Sequence, residues 1–272
     1  MRPLAEMPEA VARGIRLVLT DIDDTLTTDG RLPGDAYLAL ERLKAAGLAV
    51  AAVTGRPAGW CDMVARFWPV DGVVGENGAL YFAYNAGQRR MIRAYAVDEA
   101  ARAAAQTGLA RIRDRVLAEL PGAAVASDQF ARLVDLAIDF CEDVPALTEP
   151  QIARIKEIFE EEGAVAKISS IHVNGWFGSH DKLTMTRRFA AEILGLDIDT
   201  DRDAVVYCGD SPNDAPMFAH FPHGCGVANI RDFDGRIEAL PGWIAPSRGG
   251  AGFVEIAERL LAVHRGADAK NT

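Results

Sequence analysis

Short apolar runs alternate with segments of helical periodicity near both ends of this 272-residue chain. Residues 15–19 and 48–53 are mostly apolar and short, which predicts strands buried on both faces of a sheet. Between them, residues 33–46 place leucines on one side of a helix that Gly47 ends. The same order returns from residues 204–208 onward. Because strands that alternate with helices pair in parallel, the pattern predicts an α/β fold built on a parallel sheet.

The middle of the chain follows a different pattern. Residues 97–120 have the periodicity of one long helix, and residues 133–140 alternate strictly between apolar and polar side chains. Such alternation predicts a half-exposed strand of an antiparallel sheet. A further helix and two further strands are predicted at about 149–162, 164–168 and 171–177.

This change of pattern divides the chain into two parts. We expect an α+β unit over residues 85–179, inserted into a core made of residues 1–84 and 180–272. The chain crosses between the two parts at the turn-rich sequences Asn85-Ala86-Gly87 and Gly178-Ser179.

An excess of acidic residues argues against one class of function. The chain has 39 Asp and Glu against 29 Lys and Arg, so its formal net charge is −10. A nucleic-acid binder needs a basic surface, and the sequence has no Lys- and Arg-rich run. The longest apolar stretch, residues 48–53, is too short to cross a bilayer, and the first residues lack the apolar segment of a secretory signal. We therefore predict a cytoplasmic protein without nucleic-acid or membrane partners.

Polar side chains follow the ends of the predicted parallel strands. The sequence DIDDT (residues 21–25) follows the first strand, TGR (54–56) follows the second, and GDSPND (209–214) follows the strand at 204–208. Lys182 lies in the first turn of a predicted helix. Ligands of open α/β sheets bind in the crevice at the carboxyl ends of the strands, so we expect these side chains to meet there.

The residue types in this crevice indicate a metal and a phosphate group. Carboxylates that lie close together repel one another unless a cation lies among them. The candidate ligands are oxygen atoms and the four cysteines are widely scattered, so Mg²⁺ is favoured over Zn²⁺. A hydroxyl, a lysine and the backbone amides at Gly55 suit a phosphate group bound beside that metal.

Two aspartates divide the predicted chemistry. Asp21 attacks phosphorus as the nucleophile and forms an aspartyl phosphate. Asp23, two residues later on the same side of an extended chain, protonates the leaving alkoxide and later takes a proton from water. Lys182 offsets charge on the phosphoryl oxygens, and Thr54 binds one of them together with the amides at Gly55.

The four motifs resemble those of the haloacid dehalogenase (HAD) superfamily. DIDDT at 21–25, Thr54 at a strand end, Lys182 on a helix and GDSPND at 209–214 occur in the family's order. The resemblance covers nearly the whole chain, since the predicted insert lies where type IIB members carry a cap domain. It implies a Rossmann-like core with an α+β cap that selects the substrate. The sequence GENG (75–78) is also similar to subfamily IIB, which includes Cof-like proteins and phosphatases of sucrose phosphate and mannosyl-phosphoglycerate.

The resemblance also implies how the metal is held. Asp21 and Asp210 bind Mg²⁺ through their side chains, and Asp23 binds it through its backbone carbonyl. Asn213 and Asp214 orient the water molecules of the metal or the catalytic lysine. Members with an aspartate two residues after the nucleophile are mostly phosphatases or phosphosugar mutases.

Further residues are candidate contacts to the substrate. A sheet that covers an active site presents one strand face to the bound molecule, which makes the polar residues of the predicted cap strands candidates. Asp135, Asp139 and Gln129 belong to this group. The set that we expect to contact the substrate is Arg56, Asn77, Arg132, His172 and Asn174. Asp24 stands where many HAD relatives have glycine.

The sequence thus predicts a phosphatase that hydrolyses a small phosphorylated metabolite, a sugar or sugar-acid phosphate. Opening and closing of the cap admits the substrate and excludes water. Two alternatives stay open. A phosphosugar mutase hands the phosphoryl group to a second hydroxyl, and a receiver-like signalling module carries a similar acidic cluster but keeps its aspartyl phosphate. The oligomeric state is also left open.

Overall fold

A computed structural model describes residues 1–268 of the chain. In this part of the chain the strands lie in two sheets. In chain order they are β1 (Arg2–Pro3), β2 (Leu17–Thr20), β3 (Ala49–Val53), β4 (Gly72–Gly75), β5 (Leu80–Asn85), β6 (Arg90–Tyr95), β7 (Ala124–Val125), β8 (Leu136–Asp139), β9 (Val165–Ile168), β10 (His172–Trp176), β11 (Val205–Gly209), β12 (Cys225–Gly226) and β13 (Trp243–Ile244).

Helices connect and cover these strands. They are α1 (Glu9–Gly14), α2 (Gly34–Ala45), α3 (Ala58–Phe67), α4 (Glu99–Glu119), α5 (Glu149–Glu161), α6 (Lys182–Phe189), α7 (Ala215–His220) and α8 (Gly249–Asp268). Short segments of 3₁₀ helix include Glu76–Gly78, Gln129–Ala131, Pro212–Asp214 and Ala228–Phe233, and a π-helical turn over Ala190–Leu194 continues α6. Within residues 1–268, no helix is both long and apolar enough to cross a membrane.

The larger sheet has nine strands in the order β1-β13-β12-β11-β2-β3-β4-β5-β6. In this sheet order, every neighbouring pair of strands from β1 through to β4 is parallel. The last two strands, β5 and β6, pair antiparallel with their neighbours. Apolar side chains cover both faces: Val18 packs into the layer that includes α2 and α8, whereas Leu17 and Leu19 pack into the layer that includes α6. This arrangement confirms the predicted α/β fold with a mostly parallel sheet.

The smaller sheet is antiparallel, with the order β7-β8-β10-β9. Ile112 of α4 and Phe159 of α5 pack with Ile138 of β8 in a separate apolar cluster. Strand β8 differs from the prediction of a half-exposed strand, because Asp139 at the end of β8 and Asp135 just before β8 are each only 1% exposed. Both carboxylates accept hydrogen bonds from neighbouring groups inside the protein.

The predicted boundary at residue 85 falls within a β-hairpin of the larger sheet. β5 and β6 pair with each other over their whole lengths, and Asn85-Ala86-Gly87 lies at the turn between them. The chain therefore stays in the core sheet through Tyr95. We propose that the inserted unit starts near residue 97, and that residues 178 and 179 mark its end as predicted.

Packing in the smaller sheet depends on a glycine. A Cβ atom added at Gly175 of β10 would lie 2.1 Å from a ring carbon of Phe159, and Phe159 is fully buried. We predict that Gly175→Ala lowers the free energy of unfolding by about 1–3 kcal/mol, because the ring has no space into which to move. Chemical denaturation measures this change.

Gly87→Ala is the matched control. The nearest atom to an added Cβ at Gly87 is Asn85 Oδ1 at 3.5 Å, an ordinary contact, so we expect a change below ~0.5 kcal/mol. Equal stabilities of the two variants would contradict the packing described here.

Candidate active site

The predicted nucleophile, Asp21, is in direct contact with Lys182. Asp21 follows β2, and its backbone N–H donates to the carbonyl of Cys208 on β11 at 2.9 Å. The Nζ atom of Lys182 lies 2.9 Å from Asp21 Oδ1 and 2.8 Å from Asp214 Oδ1. All three side chains are buried. One ammonium group therefore bridges two buried carboxylates at the carboxyl edge of the sheet.

Asp214 is held by groups from its own strand and loop. Its Oδ1 atom accepts hydrogen bonds from Lys182 and from the hydroxyl of Tyr207. Its Oδ2 atom accepts from the backbone amides of Asp210 at 3.0 Å and Ser211 at 3.2 Å. Both oxygens are thus occupied, which suits this carboxylate to positioning Lys182 more than to ligating a metal.

Asp210 and Asp21 keep more of their acceptor capacity. Asp210 accepts from Thr25 Oγ1 at 3.3 Å and from Asn229 Nδ2 at 2.9 Å. The Oδ2 atom of Asp21 accepts no hydrogen bond from any residue between 1 and 268. This oxygen is the one available for attack on an electrophile or for a cation.

Burial makes these charges costly. It raises the pKa of Asp21 to about 8, against the lowering effect of Lys182 and with repulsion from Asp214 adding to the rise. Burial, together with repulsion from Asp214 and Asp21, holds the pKa of Asp210 well above its usual range. For Lys182, the two carboxylates outweigh burial and raise the pKa of the ammonium group.

The same cluster can hold a hard cation. One carboxylate oxygen from each of Asp21, Asp210 and Asp214 lies within 4.8 Å of the others, and of these three residues Asp21 and Asp210 keep the acceptor capacity to ligate it. Oxygen donors alone suit Mg²⁺, and a single lysine supplies one positive charge against three carboxylates. The residues present therefore fit a divalent metal.

The loop formed by residues 54–56, which we call the 54–56 loop, follows β3 beside Asp21. The hydroxyl oxygen of Thr54 accepts from the backbone N–H of Arg56 at 3.0 Å. Its own hydrogen is thus free to be donated to another acceptor. A Cβ on Gly55 would lie 3.1 Å from the Asn77 side chain, so this close approach favours glycine.

Arg56 engages carboxylates from both parts of the chain. Its Nε atom lies 2.9 and 3.0 Å from the two carboxylate oxygens of Asp23. Its terminal nitrogens contact Glu142 at 2.6 Å and Asp128 at 3.3 Å, both in the inserted unit. The guanidinium also lies 4.5 Å from the ring centre of Trp60. Arg56 therefore bridges the core and the insert while it orients Asp23.

Glu142 completes this bridge on the insert side. Its carboxylate lies 3.0 Å from His172 Nε2 and contacts Arg56. Burial tends to raise the pKa of Glu142, but the contacts with His172 and Arg56 outweigh it and lower the pKa to about 2. Asp139 shapes the loop, because it accepts from the backbone amides of Cys141 and Glu142.

The insert closes over the site. Asp21, Asp23, Gly55, Arg56 and Asn213 line one side of a cavity of about 10 Å³, and the side facing them comprises Ser169, Ser170, Ile171, His172 and Asn174. Such a volume holds about one water molecule. A ligand larger than water therefore reaches Asp21 only after the insert moves away from the core.

The structure separates the five predicted substrate contacts into two groups. Arg56, His172 and Asn174 line the cavity. Arg132 and Asn77 are outside the cavity lining, and this differs from the expectation that they face the substrate. Arg132 is wholly buried in contacts with protein groups, and Asn77 lies beneath the 54–56 loop.

Several groups around the site were not among the residues predicted from the sequence. Asp128 and Glu142 reach Arg56 from positions 72 and 86 residues later in the chain. Tyr207 points its hydroxyl at the site from within an apolar strand. Asn229 follows β12, and the strand-end rule that selected Asp21 would also have selected Asn229. Asp24 adopts φ of +56°, a left-handed conformation that glycine favours and aspartate tolerates.

Part of the sequence matches a known family model, and solved structures share the fold of the chain. Residues 18–107 match the sequence model of the haloacid dehalogenase-like hydrolases. No curated protein matches the sequence.

Solved structures align with nearly the whole chain. A Thermoplasma acidophilum protein, 0175, is 18% identical with a TM-score of 0.67, over 92% of this chain and 99% of that one. The sucrose-phosphatase from Synechocystis sp. PCC6803, solved with sucrose and phosphate, is 16% identical with a TM-score of 0.61, over 91% and 98%. The HAD subclass IIB sugar phosphatase BT4131 is 15% identical with a TM-score of 0.61, over 92% and 99%.

At these identities the solved structures show a shared fold, while the sequence match covers the segment that carries DIDDT and the 54–56 loop. The chain is thus similar to haloacid dehalogenase-like hydrolases in the sequence of residues 18–107, and it shares the fold of the solved structures over nearly its whole length.

Proposed function

We propose that the protein is a Mg²⁺-dependent phosphatase that hydrolyses a small phosphate ester through an aspartyl phosphate on Asp21. The observation that carries this proposal is the buried contact of Asp21 with Lys182, beside Asp210 and Asp214. Two of the structural neighbours are a sucrose-phosphatase and a sugar phosphatase, which agrees with it.

Asp21 is the nucleophile in this proposal. Its free Oδ2 atom attacks phosphorus, the bond from phosphorus to the leaving oxygen breaks, and the phosphoryl group stays on the carboxylate. A water molecule then attacks the aspartyl phosphate, which releases inorganic phosphate and restores Asp21. Lys182 binds Oδ1 and offsets negative charge on the transferring group.

Asp23 transfers the protons. It gives a proton to the leaving alkoxide in the first step and takes one from the attacking water in the second. Arg56 orients this carboxylate through both of its oxygens. The free hydroxyl hydrogen of Thr54 is available to a phosphoryl oxygen.

Asp21 and Asp210 would hold the metal through side-chain oxygens and Asp23 through its backbone carbonyl. When bound, Mg²⁺ supplies positive charge that offsets the carboxylates and the phosphoryl oxygens. Asp214 positions Lys182, and Asn213 lies at the cavity, where it can orient water.

The lining of the closed site supports a polar leaving group. Ser169, Ser170, His172 and Asn174 present hydrogen-bonding groups to the cavity, as recognition of a sugar or sugar-acid phosphate requires. A cleft of about 310 Å³ beside the cavity shares Ser169, Ser170 and Asn213 with it, which gives space for a leaving group larger than the closed cavity.

We predict that Asp21→Asn lowers phosphate release by at least ~10³-fold, because the amide is a far weaker nucleophile than a carboxylate. The measurement is inorganic phosphate released with Mg²⁺ from a panel of phosphate esters, sugar phosphates among them.

Asp197→Asn is the control, because Asp197 is an exposed aspartate whose carboxylate accepts from the Thr200 hydroxyl and from the backbone amide of Asp199. We expect wild-type rates from it. Undiminished phosphate release by folded Asp21→Asn would contradict the assignment of the nucleophile. An isomeric phosphate as product, with little free phosphate, would indicate a mutase.

We predict that chelation of divalent metals abolishes phosphate release and that Mg²⁺ restores it, since the oxygen donor set suits this ion. In Asp210→Asn one charged ligand is lost, so half-maximal activity requires a Mg²⁺ concentration raised by at least about tenfold. Titration of chelated enzyme with Mg²⁺ measures both effects. Full activity after chelation would contradict the metal requirement.

A further inference from the structure

Arg132 reaches from the insert to the backbone of the 54–56 loop. Its NH1 atom donates to the carbonyl oxygen of Gly55 at 2.8 Å. Two carboxylates of the insert hold the same guanidinium: Asp135 at 3.0 Å and Asp128 at 3.2 Å. The side chain is 0% exposed, so its donors face protein groups and not the cavity.

Glu76 makes a contact in the opposite direction, from the core to the insert. Its buried carboxylate accepts from the backbone amides of Leu133 (2.9 Å), Val134 (2.7 Å) and Asp135 (3.1 Å), and from Ala58 of α3 (2.9 Å). The three insert residues directly follow Arg132. A core anion and an insert cation thus hold the same four-residue segment against the core.

The backbone at Glu76 is in a sparsely populated conformation. Glu76 and Asn77 have φ of +45° and +53°, a left-handed conformation that disfavours side chains with a Cβ. Such residues persist where the surrounding structure holds them, and they concentrate at functional sites. Here the conformation aims Glu76 at the insert.

The carbonyl that Arg132 binds belongs to the peptide between Gly55 and Arg56. The N–H of the same peptide donates to Thr54 Oγ1 at 3.0 Å. Because a peptide is planar, fixing its carbonyl also fixes the direction of its N–H. That N–H occupies one acceptor site of the Thr54 hydroxyl oxygen. The hydroxyl hydrogen therefore points away from the Arg56 amide and can be donated to another acceptor.

We infer that Arg132 and Glu76 form a docking pair that orients the 54–56 loop when the insert closes. Arg132 is therefore a positioning residue that acts through the Gly55 carbonyl and Thr54, and not a contact to the substrate. The inference rests on the proposed function only in taking the 54–56 loop as the phosphate-binding loop.

The test uses the full-length protein and the variants Arg132→Lys and Glu76→Gln. Lysine keeps the positive charge but lacks the fork that reaches two carboxylates and a carbonyl together. Glutamine replaces one acceptor oxygen of Glu76 with a donor that faces the amides. Burial and Asp135 raise the pKa of Glu76 to about 7, so measurements at pH 8 keep its carboxylate charged in the wild type.

Hydrogen exchange of the backbone amides of residues 54–56 is the first readout. We expect both variants to exchange there at least ~10-fold faster than wild type, while residues 17–20 of β2 are unchanged, since local opening is confined to the loop. The second readout is kinetic: kcat falls ~10–100-fold with KM within about threefold, because the donor acts on the transferring phosphoryl group.

Arg115→Gln is the matched control, because Arg115 pairs with Glu119 and Glu162 inside the insert. We expect it to alter neither readout. Unchanged exchange at residues 54–56 in both variants would overturn the inference. A tenfold rise in KM at constant kcat in Arg132→Lys would also overturn it, because that result indicates a substrate contact. If Arg132→Lys fails to fold, Glu76→Gln decides. If wild type cleaves no ester, the proposed function fails and the exchange readout still decides this inference.

Discussion

The rest of the site depends on the buried contact between Lys182 and the carboxylates of Asp21 and Asp214. Three carboxylates at one edge of a parallel sheet repel one another, and burial adds to that cost. The lysine offsets part of it, and Tyr207 with two backbone amides fixes Asp214 as its anchor. What remains is an excess of negative charge and one free oxygen on Asp21, which are the conditions for a divalent cation and for nucleophilic attack.

The insert is part of this electrostatic arrangement. Arg56 orients Asp23 from the core, and its remaining donors are taken by Asp128 and Glu142 of the insert. The cavity holds about one water molecule, so entry of any larger ligand requires these ion pairs to separate. The closed arrangement brings together the groups that bind Asp23 and the groups of the insert that line the cavity, and such a coupling of gating with site assembly occurs in many enzymes with mobile lids.

The sequence predicts well what depends on local pattern. The parallel strands and the motifs at their carboxyl ends follow from short apolar runs and turn residues, and the structure brings Asp21, Lys182 and Asp210 together. The sequence predicts poorly the contacts that form only when the insert packs against the core. By its alternating pattern the segment 133–140 has an ordinary solvated face, yet Asp135 is buried, and its carboxylate accepts from Arg132 and Asn174, which both lie outside that segment. In the same way, nothing local to Arg132 shows that its partner is the Gly55 carbonyl.

The hairpin of β5 and β6 is a further case of this limit. Its strands extend the core sheet beyond the predicted boundary, because pairing with β4 and not composition decides which sheet a strand joins. A cytoplasmic location and the lack of a nucleic-acid partner stay predictions of the sequence.

The central claim is that Asp21 becomes phosphorylated. The most direct measurement is mass spectrometry of the protein after rapid acid quenching of a reaction with Mg²⁺ and a cleaved phosphate ester, followed by digestion. The account predicts a phosphoryl group on the peptide that contains Asp21, present during turnover and lost once substrate is exhausted. Turnover with no phosphoryl group on that peptide at any time, or with the group on another residue, would contradict it.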